Sequence, residues 1–202
     1  MVGMRVVLAT GNRGKLREFA EMLAPLALNF IPQSELGVTP PDETGVTFAA
    51  NALLKARAAA QQTGLPAMAD DSGLEVDLLG GAPGVHSARY AGVHGDDAAN
   101  TSKLLAELRA RGVPFGATTT RARFCCVIVL LRAADDPAPR IASGVWKGYI
   151  AAVPRGAGGF GYDPVFVDPI RDMTAAELPA AEKNSRSHRA QALRALLAMG
   201  PL

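Results

Sequence analysis

Cysteine is scarce in this chain: there are two in 202 residues, adjacent at Cys125 and Cys126. They fall inside the apolar run Phe124-Cys125-Cys126-Val127-Ile128-Val129-Leu130-Leu131. Successive side chains of a strand point to opposite faces, so a structural disulfide between them is not expected. With no other cysteine, a disulfide framework and a thiolate metal site are excluded, which favours a reducing compartment. Long hydrophobic segments are missing too. The same apolar run is far short of the ~20 residues a membrane helix needs, and the N-terminus reaches Arg5 and Gly11-Asn12-Arg13 too soon for a signal peptide. A cytoplasmic protein with no membrane partner is expected. Nor does one sign of charge dominate. The 21 Lys and Arg against 19 Asp and Glu leave a formal net charge of +2, too small to suggest a nucleic-acid polyanion as partner but compatible with a small anionic ligand. Aromatic residues are few, with three Tyr, seven Phe and one Trp, which also speaks against a nucleic-acid module. Internal repeats, low-complexity tracts and linkers are absent. What remains, 49% hydrophobic and 20% charged residues, is ordinary for a soluble globular enzyme of one domain or one two-lobed unit spanning residues 1–202.

The chain is organised around Ala69-Asp70-Asp71-Ser72-Gly73. Leu65 to Ala69 reads as a short buried strand that stops on two carboxylates and a turn-forming Ser-Gly. Buried carboxylates are costly unless paired or metal-bound, so the pair is a candidate divalent-cation site. Mg²⁺ suits it, because that ion takes one or two carboxylates, waters and substrate phosphates. Near the N-terminus, Met4 to Ala9 predicts a strand and Thr10-Gly11-Asn12-Arg13-Gly14 a turn. Lys15 then opens a helix with Leu16, Phe19, Ala20 and Leu23 on one face. Such a turn aims backbone N–H groups and the helix dipole at an anion, and Lys15 adds a full charge. It is not a P-loop: Gly11 and Gly14 are too close together, and Leu16 stands where Ser or Thr should be.

Further on, Asp42-Glu43-Thr44-Gly45 is an acidic turn in which Glu43 can supply a second metal carboxylate. Phe48 to about Gln62 predicts an Ala-rich helix, with Asn51 and Lys55 one turn apart on a shared face. Asp96 or Asp97 can cap a helix whose stripe is Leu104, Leu105 and Leu108. Thr118 to Arg132 reads as a long strand, and Arg140 to Val153 as one or two strands paired antiparallel to it. The stretch Arg155 to Pro164 contains Gly156, Gly158 and Gly161 in a literal G-x-G-x-x-G, but no helix follows, which discounts a Rossmann site. A flexible loop carrying Phe160 and Tyr162-Asp163 is better suited to stacking on a planar base while its backbone reaches the base edge. Thr174 to Glu177 fits a capping box. Lys183, His188 and Arg189 gather around the start of a final helix that carries Leu193, Leu196 and Leu197, and form a plausible donor cluster for a ligand.

Taken in order, Leu8 to Lys15, Glu43 to Phe48, Ala69 to Leu74, Gly81 to Gly84, Ser87 to Tyr90, Gly159 to Pro164, and Glu182-Lys183-Asn184 with Ser187-His188-Arg189 resemble the inosine triphosphate pyrophosphatase family. Its bacterial members are called dITP/XTP or non-canonical purine nucleoside triphosphate pyrophosphatases. One departure is visible: Ala50 stands before Asn51 where the family usually has Glu, which removes one carboxylate from the acidic cleft. The resemblance implies an α/β fold, a mixed elongated central sheet flanked by helices in two lobes with the active cleft between them, and a homodimer. It implies Mg²⁺-dependent hydrolysis of ITP, dITP, XTP or dXTP to the monophosphate and pyrophosphate, with one Mg²⁺ per active site. Carried onto this chain, Thr10, Gly11, Asn12, Arg13, Gly14 and Lys15 would hold phosphates. Glu43 and Asp71 would hold the metal, Asp71 would also accept the proton, and Ser72 would contact substrate. Phe160, Gly161, Tyr162, Asp163, Lys183, His188 and Arg189 would bind the nucleotide and its base. Two alternatives stay open: a Maf-type pyrophosphatase for other modified nucleotides, and a non-catalytic nucleotide sensor.

Overall fold

Val6-Val7-Leu8 is apolar on both sides, the pattern of a strand buried on both faces. In the computed structural model, which describes residues 4–25 and 29–200, these residues form β1 (Arg5–Leu8). Val6 and Leu8 join Phe19 and Leu23 of α1 (Arg13–Leu23) and Ala192, Leu193 and Leu196 of α5 (His188–Leu197) in one cluster. Val7 and Ala9 face the opposite way, onto Ala52, Ala56, Ala59 and Ala60 of α2 (Phe48–Thr63). Four fully buried alanines let that helix lie close against the sheet. Thr47 caps it through Oγ1, and Gly64, at φ +66°, closes it in the left-handed conformation glycine adopts without strain.

A mixed seven-stranded sheet runs in the order β2-β1-β3-β4-β5-β6-β7, where β2 is Asn29–Pro32, β3 Ala67–Val76, β4 Arg121–Leu131, β5 Arg140–Ile150, β6 Phe166–Asp168 and β7 Met173–Thr174. β1 pairs in parallel with β2 and β3, whereas β6 pairs antiparallel with β5 and β7. The α/β class expected from the sequence is therefore present.

The chain forms two compact units. The first holds the chain up to Asp71, Cys126–Gly144 and the segment from Arg189; the second holds Ser72–Cys125 and Val145–His188. In the second, Leu104, Leu105 and Leu108 of α3 (Asp97–Ala110) pack with Leu74, Val76, Phe124, Trp146 and Phe166. Phe124 and Phe166 lie 4.4 Å apart between ring centroids.

Several expectations are corrected. β3 does not stop at the Asp pair: it continues through Ser72-Gly73, because Leu74 and Val76 keep the alternation going into the second unit's core. α1 starts at Arg13 rather than Lys15, since the Asn12 side chain caps it. On its buried face Ala20 is exposed and Glu18 is buried instead. β5 ends at Ile150 rather than Val153. Glu177 does bond back to the Thr174 N–H (2.7 Å), but only a turn follows. A separate short helix, α4 (Ala180–Arg186), precedes α5. The outer limits of the expected 1–202 domain lie outside the described residues.

Candidate active site

Because β3 stays extended through Asp70 and Asp71, the two carboxylates leave the strand on opposite faces. Asp70, 1% exposed, meets Lys15 from the first turn of α1 (Nζ to Oδ2, 2.9 Å) and Arg189 from α5 (Nε to Oδ2, 3.6 Å). Arg189 in turn is paired with Glu18 of α1, which explains why a glutamate lies buried on that helix. Asp71, 6% exposed, turns toward α2. Its Oδ1 is 2.9 Å from Lys55 Nζ, and its Oδ2 accepts from Asn51 Nδ2 at 3.2 Å. Lys55 Nζ is also 2.9 Å from Glu43 Oε1, so one ammonium joins the two acids expected to hold a metal.

Asn51 does a second job from the same helix face. Its Oδ1 accepts the Gly45 N–H at 2.8 Å, which ties the turn after Glu43 to Asp71. A side chain at Gly45 would collide with Asn51 Oδ1 and with the Ala50 methyl, so this close approach requires glycine. Asn51 and Lys55 were recognisable in the sequence as sharing a helix face. What could not be read there was that the face meets Asp71, since that depends on β3 lying beside α2.

The surroundings separate the two acids electrically. Burial alone would raise the Asp70 pKa, but Lys15, Arg189 and Lys55 outweigh it and hold the carboxyl well below the usual carboxylate range. At Asp71 burial wins over Lys55 and Lys15 and pushes the carboxyl up. Lys55 is pushed up as well: burial acts against its charge, yet Asp71, Asp70 and Glu43 prevail. Asp70 is thus a fixed anion, and Asp71 is the acid with enhanced proton affinity, the property a general base needs.

Around the predicted phosphate turn, Thr10 is buried, Gly14 and Lys15 are half-buried, and Gly11, Asn12 and Arg13 are exposed. The Asn12 N–H donates to Thr10 Oγ1 at 3.2 Å, and Asn12 Oδ1 accepts the Lys15 N–H at 3.0 Å. The turn therefore presents the positive end of the eleven-residue α1 at its surface. Gly11 is not sterically required there, as an added Cβ would meet only the Gln33 side chain at an ordinary 3.8 Å.

The second unit holds most of the remaining expected residues. In the loop before β6, Asp163 Oδ2 accepts the Phe160 N–H (2.8 Å) and pairs with Lys183 of α4. The Lys183 ammonium lies 5.0 Å from the Phe160 ring centroid. Gly159, at φ +73°, has no room for a Cβ beside the Asp163 carboxylate. The Gly161 N–H is held by Asp97 Oδ2 at 2.7 Å. Two of the backbone donors expected to face a base edge are therefore bound by carboxylates, while the Phe160 ring stays half-buried at the loop. The Tyr162 ring belongs to the core, and its hydroxyl donates to the Ser87 carbonyl at 2.9 Å. Ser72 is half-buried on β3. His188 is buried with its ring stacked on Phe124, 4.8 Å between centroids. The cluster Lys183, His188, Arg189 is thus divided by its partners: Asp163, Phe124, and Glu18 with Asp70.

Glu43 and Asp71 offer hard oxygen donors that reach a common cation, which fits Mg²⁺ bound by two carboxylates with waters and phosphate oxygens completing its shell. Among the described residues no group of three or more His, Cys, Asp or Glu forms a metal-holding cluster, so an ion enclosed wholly by protein is not built here.

Known proteins resemble this chain over nearly its full length. The sequence model of the Ham1 family matches residues 6–199. A dITP/XTP pyrophosphatase of Thioalkalivibrio sulfidiphilus is 56% identical over 194 residues, covering 96% of this chain and 97% of that protein. One from Escherichia coli O157:H7 is 55% identical over 193 residues, covering 96% of each. Among solved structures, a HAM1 protein from Coxiella burnetii superposes with a TM-score of 0.87 at 50% identity, covering 97% of this chain and 98% of that one.

Proposed function

The chain belongs to the Ham1 family, and from that premise we propose that it hydrolyses the non-canonical purine nucleoside triphosphates ITP, dITP, XTP and dXTP to the monophosphate and pyrophosphate. The observation that carries this reading is the divided acid pair: Asp70 locked as an anion by Lys15 and Arg189, Asp71 with raised proton affinity beside Lys55 and Glu43.

In this reading the triphosphate lies against the turn Thr10 to Lys15 and the amide end of α1. Lys15 and Lys55 each carry three N–H donors, enough for Lys15 to keep Asp70, for Lys55 to keep both Asp71 and Glu43, and for each still to contact a phosphate oxygen. Asp71 accepts the proton of the water that attacks the α-phosphorus, and Asn51 and Lys55 hold that carboxylate in place. Glu43 and Asp71 would hold Mg²⁺, which when bound supplies neutralisation of the charge that builds on phosphate oxygens as pyrophosphate leaves. Ser72, next along β3, contacts the substrate. Phe160 stacks on the base, and donors from Lys183 and His188 favour a 6-oxo purine over adenine, whose amino group offers no acceptor there. A site built on such donors rejects the wrong partner strongly, because its own groups are left unpaired. Arg189 acts on the acid pair through Asp70. The product chemistry removes deaminated purine triphosphates before polymerases use them.

Mg²⁺ as the metal, one ion per site, a homodimeric assembly and a cytoplasmic location belong to the same proposal. The two carboxylates on Lys55 support the metal. The free thiols Cys125 and Cys126 support a reducing compartment. The resemblance supports the dimer. Among the described residues, no helix is long and apolar enough to cross a membrane.

Turnover of ITP in ¹⁸O-labelled water tests the mechanism. Label in the monophosphate places the attack at the α-phosphorus; label in pyrophosphate or orthophosphate rejects it.

A further inference from the structure

The loop from Gly156 to Asp163 has no regular structure, and Gly156 to Gly159 are exposed. Nevertheless its middle is pinned. The Phe160 N–H goes to Asp163 of the loop itself, whereas the next N–H, that of Gly161, goes to Asp97, 64 residues away at the start of α3. Gly161 sits at φ +62°, a left-handed conformation that other residues rarely adopt. Asp97 is not needed as the helix cap, because Asp96 already accepts the Ala99 N–H at 2.9 Å and forms the N-cap of α3. Its carboxylate is thus available to the loop, and a charged acceptor makes a stronger bond to an N–H than a neutral one.

On either side of Gly161 the chain does different work. Tyr162 is fixed in the core through the Ser87 carbonyl, and Phe160 carries the half-buried ring beside Lys183. The bond from Asp97 therefore sets the peptide that links a core anchor to the ring proposed to stack on the base. We infer that Asp97 is a positioning residue: it clamps Gly161 to α3 so that the Phe160 ring is held ready for the base. This inference rests on the proposed nucleotide function, in which the loop meets the base and takes no part in the chemistry at phosphorus.

The test compares wild type with Asp97→Ala and Asp97→Asn in steady-state hydrolysis of ITP with Mg²⁺, alongside thermal melts. Losing one exposed, charge-assisted bond should raise KM for ITP about 3- to 10-fold, the range that roughly 1 kcal/mol gives, with kcat within about twofold and a melting temperature lowered by no more than about 4 °C. Asp97→Asn keeps an acceptor oxygen and should recover most of the affinity. An unchanged KM in Asp97→Ala, a fall in kcat with KM constant, no recovery in Asp97→Asn, or a melting temperature lowered by more than about 4 °C would each overturn the inference. Wild type inactive on ITP would instead overturn the proposed function.

Discussion

Asp70→Asn and Asp71→Asn remove the same charge from neighbouring residues and should have opposite consequences. Asp70 is buried with Lys15 at 2.9 Å and Arg189 at 3.6 Å, and its charged form is strongly favoured by them. Neutralising it leaves the Lys15 ammonium, whose side chain is 13% exposed, without that counter-charge, while Arg189 keeps only Glu18 of the pair. Breaking a buried ion pair from one side costs about 3–5 kcal/mol. For a chain of this size that lowers the melting temperature by about 6–20 °C. At Asp71 the burial penalty exceeds the help of its lysines. Lys55 retains Glu43 at 2.9 Å when Asp71 is neutralised, so no cation is orphaned. Asp71→Asn should melt within about 2 °C of wild type, or above it, by the same scaling, while turnover of ITP falls about 10²- to 10⁴-fold, as expected on losing a general base. The assays are differential scanning calorimetry in EDTA and pyrophosphate release with Mg²⁺. An Asp70→Asn protein as stable as wild type, or an Asp71→Asn protein that unfolds early yet turns over ITP normally, would refute the division of labour.

Lys55→Met leaves Glu43 and Asp71 facing each other with no ammonium between them, so millimolar Mg²⁺ should raise the melting temperature more in this variant than in wild type. Equal shifts in the two proteins would show that lysine and metal do not share the acids. Lys15→Ala should weaken binding of a triphosphate by at least about tenfold, one broken charge-assisted contact, and leave nucleoside binding nearly unchanged; calorimetric titration with ITP and inosine reads both, and equal losses contradict a phosphate role. Burial, followed by the Glu75 carboxylate, pushes the Cys125 thiol up to about 11. A raised pKa means less thiolate at any given pH, so at pH 8 iodoacetamide should label it roughly 100-fold more slowly than a free thiol, with the rate still climbing above pH 9. Rapid labelling that levels off near pH 9 would count against that environment.

The sequence disclosed most where local chemistry decides the outcome. Val6 to Leu8, the alanines of α2 and the leucines of α3 announce their elements by period and composition, and all three form as expected. The acid pair was recognisable as a site because two adjacent carboxylates on an apolar strand need partners. Its division was not, since which cation meets which acid depends on α1 and α5 packing on one face of β3 and α2 on the other. Ser72-Gly73 looked like a turn because both residues favour turns in isolation; the core contacts of Leu74 and Val76 overrode that preference. Likewise, Lys183, His188 and Arg189 stand close in sequence, but the break between α4 and α5 sends them to three different partners. Asp97 showed only as one of two possible caps, because a contact spanning 64 residues leaves no local trace.

Product analysis of the purified protein with Mg²⁺ and, separately, ITP, XTP, GTP and ATP, with pyrophosphate resolved from orthophosphate, reads both the choice of substrate and the bond that is cleaved. Monophosphate and pyrophosphate from ITP and XTP, with little from GTP or ATP, is the predicted result. Orthophosphate and diphosphate, or equal turnover of all four nucleotides, would contradict it.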